Sequence, residues 1–212
     1  MSTSLNYTVV DAFTSTPFKG NPAAVIILAS PLPNDTLQSI AAEFNLSETA
    51  YITPIDAPKG RFGLRWFTPT MEYPLCGHAT LASAHVLFSG SGIVPKEVKS
   101  IEFQTNVSGI LTAKSLEDGR IELEFPAGVP VPVSPGRDDV VRQAVTKAFL
   151  NPENLHLKAV LTGTGVPYGP YLIVEVNGEF NLDTAVVSDF EALVRLALFG
   201  PYPSVYLLSR RH

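Results

Sequence analysis

Apolar positions in the first 125 residues fall into short, separated runs. YTVVDAF at residues 7–13 and AAVIILA at 23–29 read as strands, divided by the turn-forming stretch Pro17-Phe18-Lys19-Gly20-Asn21-Pro22. Leu37, Ile40, Ala41 and Phe44 recur at helical spacing, which predicts a helix capped by Asn34 or Asp35. Strands are predicted at 48–53 and 61–67, then at 101–104, 109–114 and 120–125. In the last of these Ile121, Leu123 and Phe125 alternate with Glu122 and Glu124. Between the two groups lies a helix, residues 78–88, that is apolar nearly all round and broken only by Thr80, Ser83 and His85. A helix without a polar face has no surface to give to solvent, so it is expected inside the fold, with His85 bonded within the core.

The pattern changes after Phe125. The stretch PAGVPVPVSP, residues 126–135, is rich in proline and predicts an extended linker. Beyond it a helix is predicted over 138–150, then strands near 157–161 and 171–176. Ser188-Asp189-Phe190-Glu191 reads as a capping box opening a helix to about residue 199, and residues 205–208 have strand character. The order suggests the start of a second domain, without a second apolar helix like 78–88. Domains are therefore expected at 1–125 and 136–212.

Composition narrows the function classes. Hydrophobic residues make up 45% of the 212 and charged residues 17%, enough to build a core. The net charge is −5 and the basic residues are scattered, so a nucleic-acid surface is not expected. One cysteine allows no intrachain disulfide and fits a reducing compartment, so a cytoplasmic location is expected. There is no signal-like N-terminus and no apolar stretch long enough to cross a bilayer, so no membrane association is expected. No metal-ligand spacing and no Gly-x-Ser-x-Gly elbow occur, and Gly163-Thr164-Gly165 is read as a turn rather than a phosphate loop.

Candidate chemistry gathers around the apolar helix. Glu48 opens an apolar strand between Ser47 and Thr49, where burial would raise its pKa into a range useful for acid and base catalysis; an exposed strand-edge glutamate is the bland alternative. Cys76-Gly77-His78 begins the helix, whose first N–H groups lack partners and suit an anion such as a carboxylate. The helix dipole there favours a neutral His78, which either touches substrate or caps the helix. Asn21 either makes a turn or lines a cleft. His156 and His212 lack a partner motif.

Four segments carry a family resemblance. They are VDAFTSTPFKGNPAAVIIL ending at Leu28, LSETAYI at 46–52, RWFTPTMEYPLCGHATLASA at 65–84 and, more weakly, VLTGTGVPYGPYLIVEV at 160–176. Together they resemble the PhzF family of phenazine-biosynthesis-like isomerases. The resemblance implies an α+β fold like that of diaminopimelate epimerase, with curved mixed sheets or a barrel around a central helix in each of two domains. It implies a cofactor-independent isomerase that moves a proton between carbons of a small carboxylic acid, in secondary-metabolite biosynthesis. Glu48 and His78 take the catalytic positions, and Ser47, Gly77, Cys76 and Asn21 the substrate-binding ones. Epimerases of this fold use two thiols; this chain has one, so Cys76 is expected to be structural. Family members continue through a Glu-Asp-Pro segment and a Gly-Ser-Ala turn that this chain lacks. The second domain is therefore expected to be incomplete, and the competing reading is an inactive binding or dimerising subunit, with a homodimer as one assembly open to it.

Overall fold

The computed structural model describes residues 4–89, 92–165, 167–168, 171–180, 185–189 and 191–193, and the backbone of 204–209. The chain divides into two compact units, residues 1–126 and 127–212.

The first unit is a curled, eight-stranded mixed sheet around one helix. Its strands are β1 (Tyr7–Ala12), β2 (Asn21–Ile27), β3 (Glu48–Asp56), β4 (Arg61–Phe67), β5 (Glu72–Tyr73), β6 (Ser100–Gln104), β7 (Ile110–Ser115) and β8 (Ile121–Glu124). They are ordered β1-β2-β3-β4-β6-β7-β8, with β5 joined to β4. Two neighbouring pairs are parallel, β2 with β3 and β4 with β6. A parallel pair needs a crossover, and for β2 and β3 this is α1 (Asn34–Phe44). The central helix α2 (Gly77–Phe88) packs against β1, β2, β3, β7 and β8, while α1 lies against β3 and β4. Strands covered on both faces should be apolar without alternation. Residues 23–26 of β2 and 48–52 of β3 are accordingly buried without a break. Beside α1, Leu37 and Ala41 pack with Ile26, Leu28, Tyr51 and Phe67, and the Tyr51 hydroxyl donates to the Leu37 carbonyl at 2.7 Å.

Three local expectations are corrected in this unit. Position Pro33, not Asn34 or Asp35, precedes the first turn of α1, and its carbonyl accepts from Thr36 and Leu37. Proline has no N–H to lose there and its fixed φ suits a helix start. Helix α2 is wrapped on one side only. Ala79, Thr80, Ala82, Ser83, Ala84 and Leu87 are buried, yet Leu81, His85, Val86 and Ser89 line an open cavity of about 1120 Å³ shared with β1 and the start of β8. His85 is therefore exposed rather than held in the core, and its Nε2 lies 3.2 Å from Ser89 Oγ.

The second unit has strands β9 (Val131–Pro132), β10 (Leu157–Thr162), β11 (Tyr171–Val176) and β12 (Ser204–Ser209), ordered β12-β11-β10-β9, with α3 (Pro135–Ala148). The expected linker is partly built into this sheet, because Val131 and Pro132 pair with Thr162 and Leu161. Proline is tolerated there because β9 is an edge strand. Helix α3 starts three residues earlier than expected, with Pro135 in its first turn and the Ser134 carbonyl accepting from Arg137 and Asp138. Val141, Val145 and Ala148 of α3 pack with Phe149, Leu155, Val160, Leu172, Val174, Val176 and Phe180, so this unit has a core of its own. The cap before residues 191–193 is Asp189, whose Oδ1 accepts the Ala192 N–H; Ser188 instead donates to the Ala148 carbonyl. Residues 194–199, over which this helix is expected to run on, lie outside the described residues, as does His212.

Candidate active site

The site residues come from three places in the sequence that the β2–β3 pairing joins. In that parallel register Ala23 lies beside Glu48, which sets Asn21 and Pro22 next to Ser47. The third contributor is the start of α2. Its approach is fixed by the β4–β5 turn: Thr68 Oγ1 accepts the N–H groups of Thr70 and Met71, and the Thr68 carbonyl accepts from Gln38. Arg65 makes two bonds to the Glu72 carboxylate, at 2.8 and 2.7 Å, and Ser108 holds the Pro74 carbonyl. This pair also shifts its members, the Arg65 guanidinium lowering the Glu72 pKa and Glu72 raising that of Arg65.

Glu48 is 6% exposed and its Oε2 has no hydrogen-bond partner. Burial alone pushes its carboxyl from the ordinary 4.5 to about 8. A carboxyl left in low dielectric without a donor keeps its proton, because only the charged form needs the lost solvation. Cys76 is buried too. Burial, and then the neighbouring Glu48 charge, push its thiol up to about 12, partly opposed by the backbone N–H groups of Ala79 and His78. That thiol stays protonated at neutral pH.

His78 links the other parts. Its Nδ1 lies 3.3 Å from Cys76 Sγ and its Nε2 lies 3.2 Å from Ser47 Oγ. Ser47 Oγ in turn donates toward Asn21 Oδ1 at 3.2 Å and the Pro22 carbonyl at 3.3 Å. Burial lowers the His78 pKa, with the Pro22 carbonyl pulling the other way. The neutral imidazole expected from the helix dipole is thus favoured chiefly by lost solvation. The first N–H to enter the helical ladder is that of Thr80, which bonds the Cys76 carbonyl. Gly77 is exposed, and a Cβ added there would meet no atom within 4 Å, so the space beside the helix start is open. The Gly77 N–H, at the positive end of a 12-residue helix, can hold an anion there.

The structure therefore brings Asn21, Ser47, Glu48, Cys76, Gly77 and His78 into one neighbourhood. None of these residues lines the cavity beside His85, nor the smaller one of about 370 Å³ between Tyr51, Arg65 and Asn106. One participant has no sequence signal. It is the Pro22 carbonyl, a backbone group. His156 is exposed, its backbone N–H bonded to Asn177 Oδ1. Among the described residues no group of three or more His, Cys, Asp or Glu could hold a metal ion. No helix among them is long and apolar enough to cross a membrane.

Residues 10–179 match the family model described as phenazine biosynthesis-like protein. The chain belongs to that family. Phenazine biosynthesis-like domain-containing protein 1 of Mus musculus is 53% identical over 123 residues, which is 56% of this chain and 41% of that one. An uncharacterized isomerase of Halalkalibacterium halodurans is 49% identical over 122 residues, 58% of this chain and 43% of that protein. These matches span less than half of either relative's length. A PhzF-family phenazine biosynthesis protein of Enterococcus faecalis, known from its crystal structure, superposes with a TM-score of 0.68 at 30% identity. The alignment covers 97% of this chain and 68% of that one. The fold is the α+β, epimerase-like one expected from the quoted motifs.

Proposed function

We propose that the chain carries the acid/base site of an isomerase that moves a proton between two carbons of a small cyclic or amino-acid-like carboxylic acid. The observation that carries this reading is Glu48, a buried carboxyl with an unpartnered oxygen beside an open helix start. In its ionised form Glu48 takes a proton from a C–H activated by a neighbouring unsaturated or carboxyl group. The electron pair left on carbon delocalises toward that group, and the resulting negative charge faces the N–H of Gly77 at the helix start. Glu48, now a carboxylic acid, returns the proton at the other carbon. A carboxyl with a pKa near 8 suits both halves, because neither protonation state is far from populated at neutral pH. The isomerisation is redox-neutral and the proton carrier belongs to the chain, so the reaction as written is cofactor-independent. Such chemistry suits secondary-metabolite biosynthesis and a cytoplasmic enzyme.

The test is proton exchange with solvent. The full chain is incubated in D₂O with a panel of cyclic unsaturated carboxylic acids and amino acids, and deuterium at carbon is read by NMR and mass spectrometry. Wild type is expected to label at least one acid, and Glu48→Gln to lose that labelling while keeping its fold. Labelling at the wild-type rate in the variant would remove Glu48 from the role.

A further inference from the structure

Ser47 has one hydroxyl proton and three neighbours within reach: Asn21 Oδ1, the Pro22 carbonyl and His78 Nε2. The Pro22 carbonyl can only accept, and Asn21 presents its oxygen. The serine proton is thus committed to that side, and a lone pair of Oγ faces the imidazole. His78 Nε2 must then carry a hydrogen and donate it. The other ring nitrogen is left with its lone pair, facing Cys76 Sγ at 3.3 Å, where a thiol can donate. Every link is satisfied by one arrangement of protons: Cys76 S–H to His78 Nδ1, His78 Nε2–H to Ser47 Oγ, and Ser47 O–H to Pro22 O and Asn21 Oδ1.

We infer that Asn21 and Ser47 are positioning residues, which fix His78 as its neutral Nε2–H tautomer with both ring nitrogens engaged by the protein. The functional consequence rests on the isomerase reading above. An imidazolium beside Cys76 and Glu48 would favour the charged forms of both groups. A hydrogen-bonded neutral ring leaves Glu48 as the proton carrier. Ser47, just before β3, and Asn21, at the start of β2, act through His78, to which Ser47 is bonded and Asn21 is linked through Ser47.

Tautomers are read directly from long-range ¹H–¹⁵N correlations of the full chain with labelled histidine. Wild-type His78 is expected as one Nε2–H species at neutral pH. Ser47→Ala is expected to convert it to a mixture of tautomers, and Ser47→Thr, which keeps the hydroxyl, to restore the single species. A purely structural serine would not move this signature. Should Ser47→Ala fail to fold, Cys76→Ala serves instead: it is expected to shift the Nδ1 resonance, through loss of the thiol donor, and to leave Nε2–H in place. An Nδ1–H species in wild type, or a Ser47→Ala spectrum like that of wild type, would overturn the inference. Deuterium labelling does not enter the measurement, so a locked tautomer without labelling would sink the isomerase reading alone, and labelling with a free tautomer would sink only this one.

Discussion

At the scale of the residue, Glu48 is an electrostatic liability that the fold tolerates. Its carboxyl has a folded pKa of about 8 against an ordinary value of 4.5. Between those values the folded chain holds a proton that the unfolded chain has released. Stability therefore falls as pH rises from about 4.5 to about 8 and is flat with respect to this group outside that window. Each pKa unit is worth about 1.4 kcal/mol, so the loss is on the order of several kcal/mol. Glu48→Gln, which cannot ionise, is expected to escape it. Thermal denaturation at pH 5 and pH 9 should show the variant gaining on wild type at the higher pH. An equal difference at both values would mean that Glu48 is solvated. The burial behind this was half legible in the sequence: the apolar strand after Glu48 showed it, but nothing local said that Oε2 would lack a partner.

At the scale of the element, two glycines in the quoted motifs answer to different causes. A Cβ on Gly20 would lie 2.7 Å from Thr14 Cγ2 and closer still to the Ala12 carbonyl oxygen, so the turn into β2 closes only without a side chain. Gly20→Ala is expected to destabilise the fold by about 1–3 kcal/mol, the usual cost of forced overpacking. Gly77→Ala adds a methyl to open space at a helix start, and is expected to be neutral or to gain up to about 1 kcal/mol from helix propensity. Chemical denaturation of the two variants checks the contrast; a Gly77→Ala as damaging as Gly20→Ala would contradict it. Most elements of the first unit could be read from the sequence, because β4 and β8 alternate and α1 keeps helical spacing. The exposed side of α2 could not, because an apolar helix carries no mark of where the sheet around it stops. The site residues were legible only through the family motifs and not from local pattern, since the contact of Asn21 and Pro22 with Ser47 depends on a parallel pairing across a helical crossover. Partner choice of that kind is set by tertiary packing rather than by local pattern.

At the scale of the whole molecule, each unit has its own core. The sequence lacked a second apolar helix, which suggested an incomplete second half. The described residues supply an amphipathic alternative: Val141, Val145 and Ala148 of α3 are fully buried against β10 and β11. A helix at this place was visible in the sequence, but its role as the covering helix was hidden by its many charges. Leu172, 0% exposed at the centre of that core, is the position to challenge. Leu172→Ala is expected to cost about 2–5 kcal/mol. Peptide-level hydrogen exchange should show wild-type protection across residues 157–162 and 171–176 and its loss in the variant. Rapid wild-type exchange in those strands would contradict a packed second core.

Everything proposed for the site depends on a buried Glu48 that holds its proton at neutral pH. The direct measurement is the titration of the Glu48 carboxyl in the full chain, by ¹³C NMR with labelled glutamate and Glu48→Gln to assign the resonance. A midpoint near 8 is expected. A midpoint near 4.5 would mean that the carboxyl is solvated and charged at neutral pH, and the acid/base site proposed around it would fall.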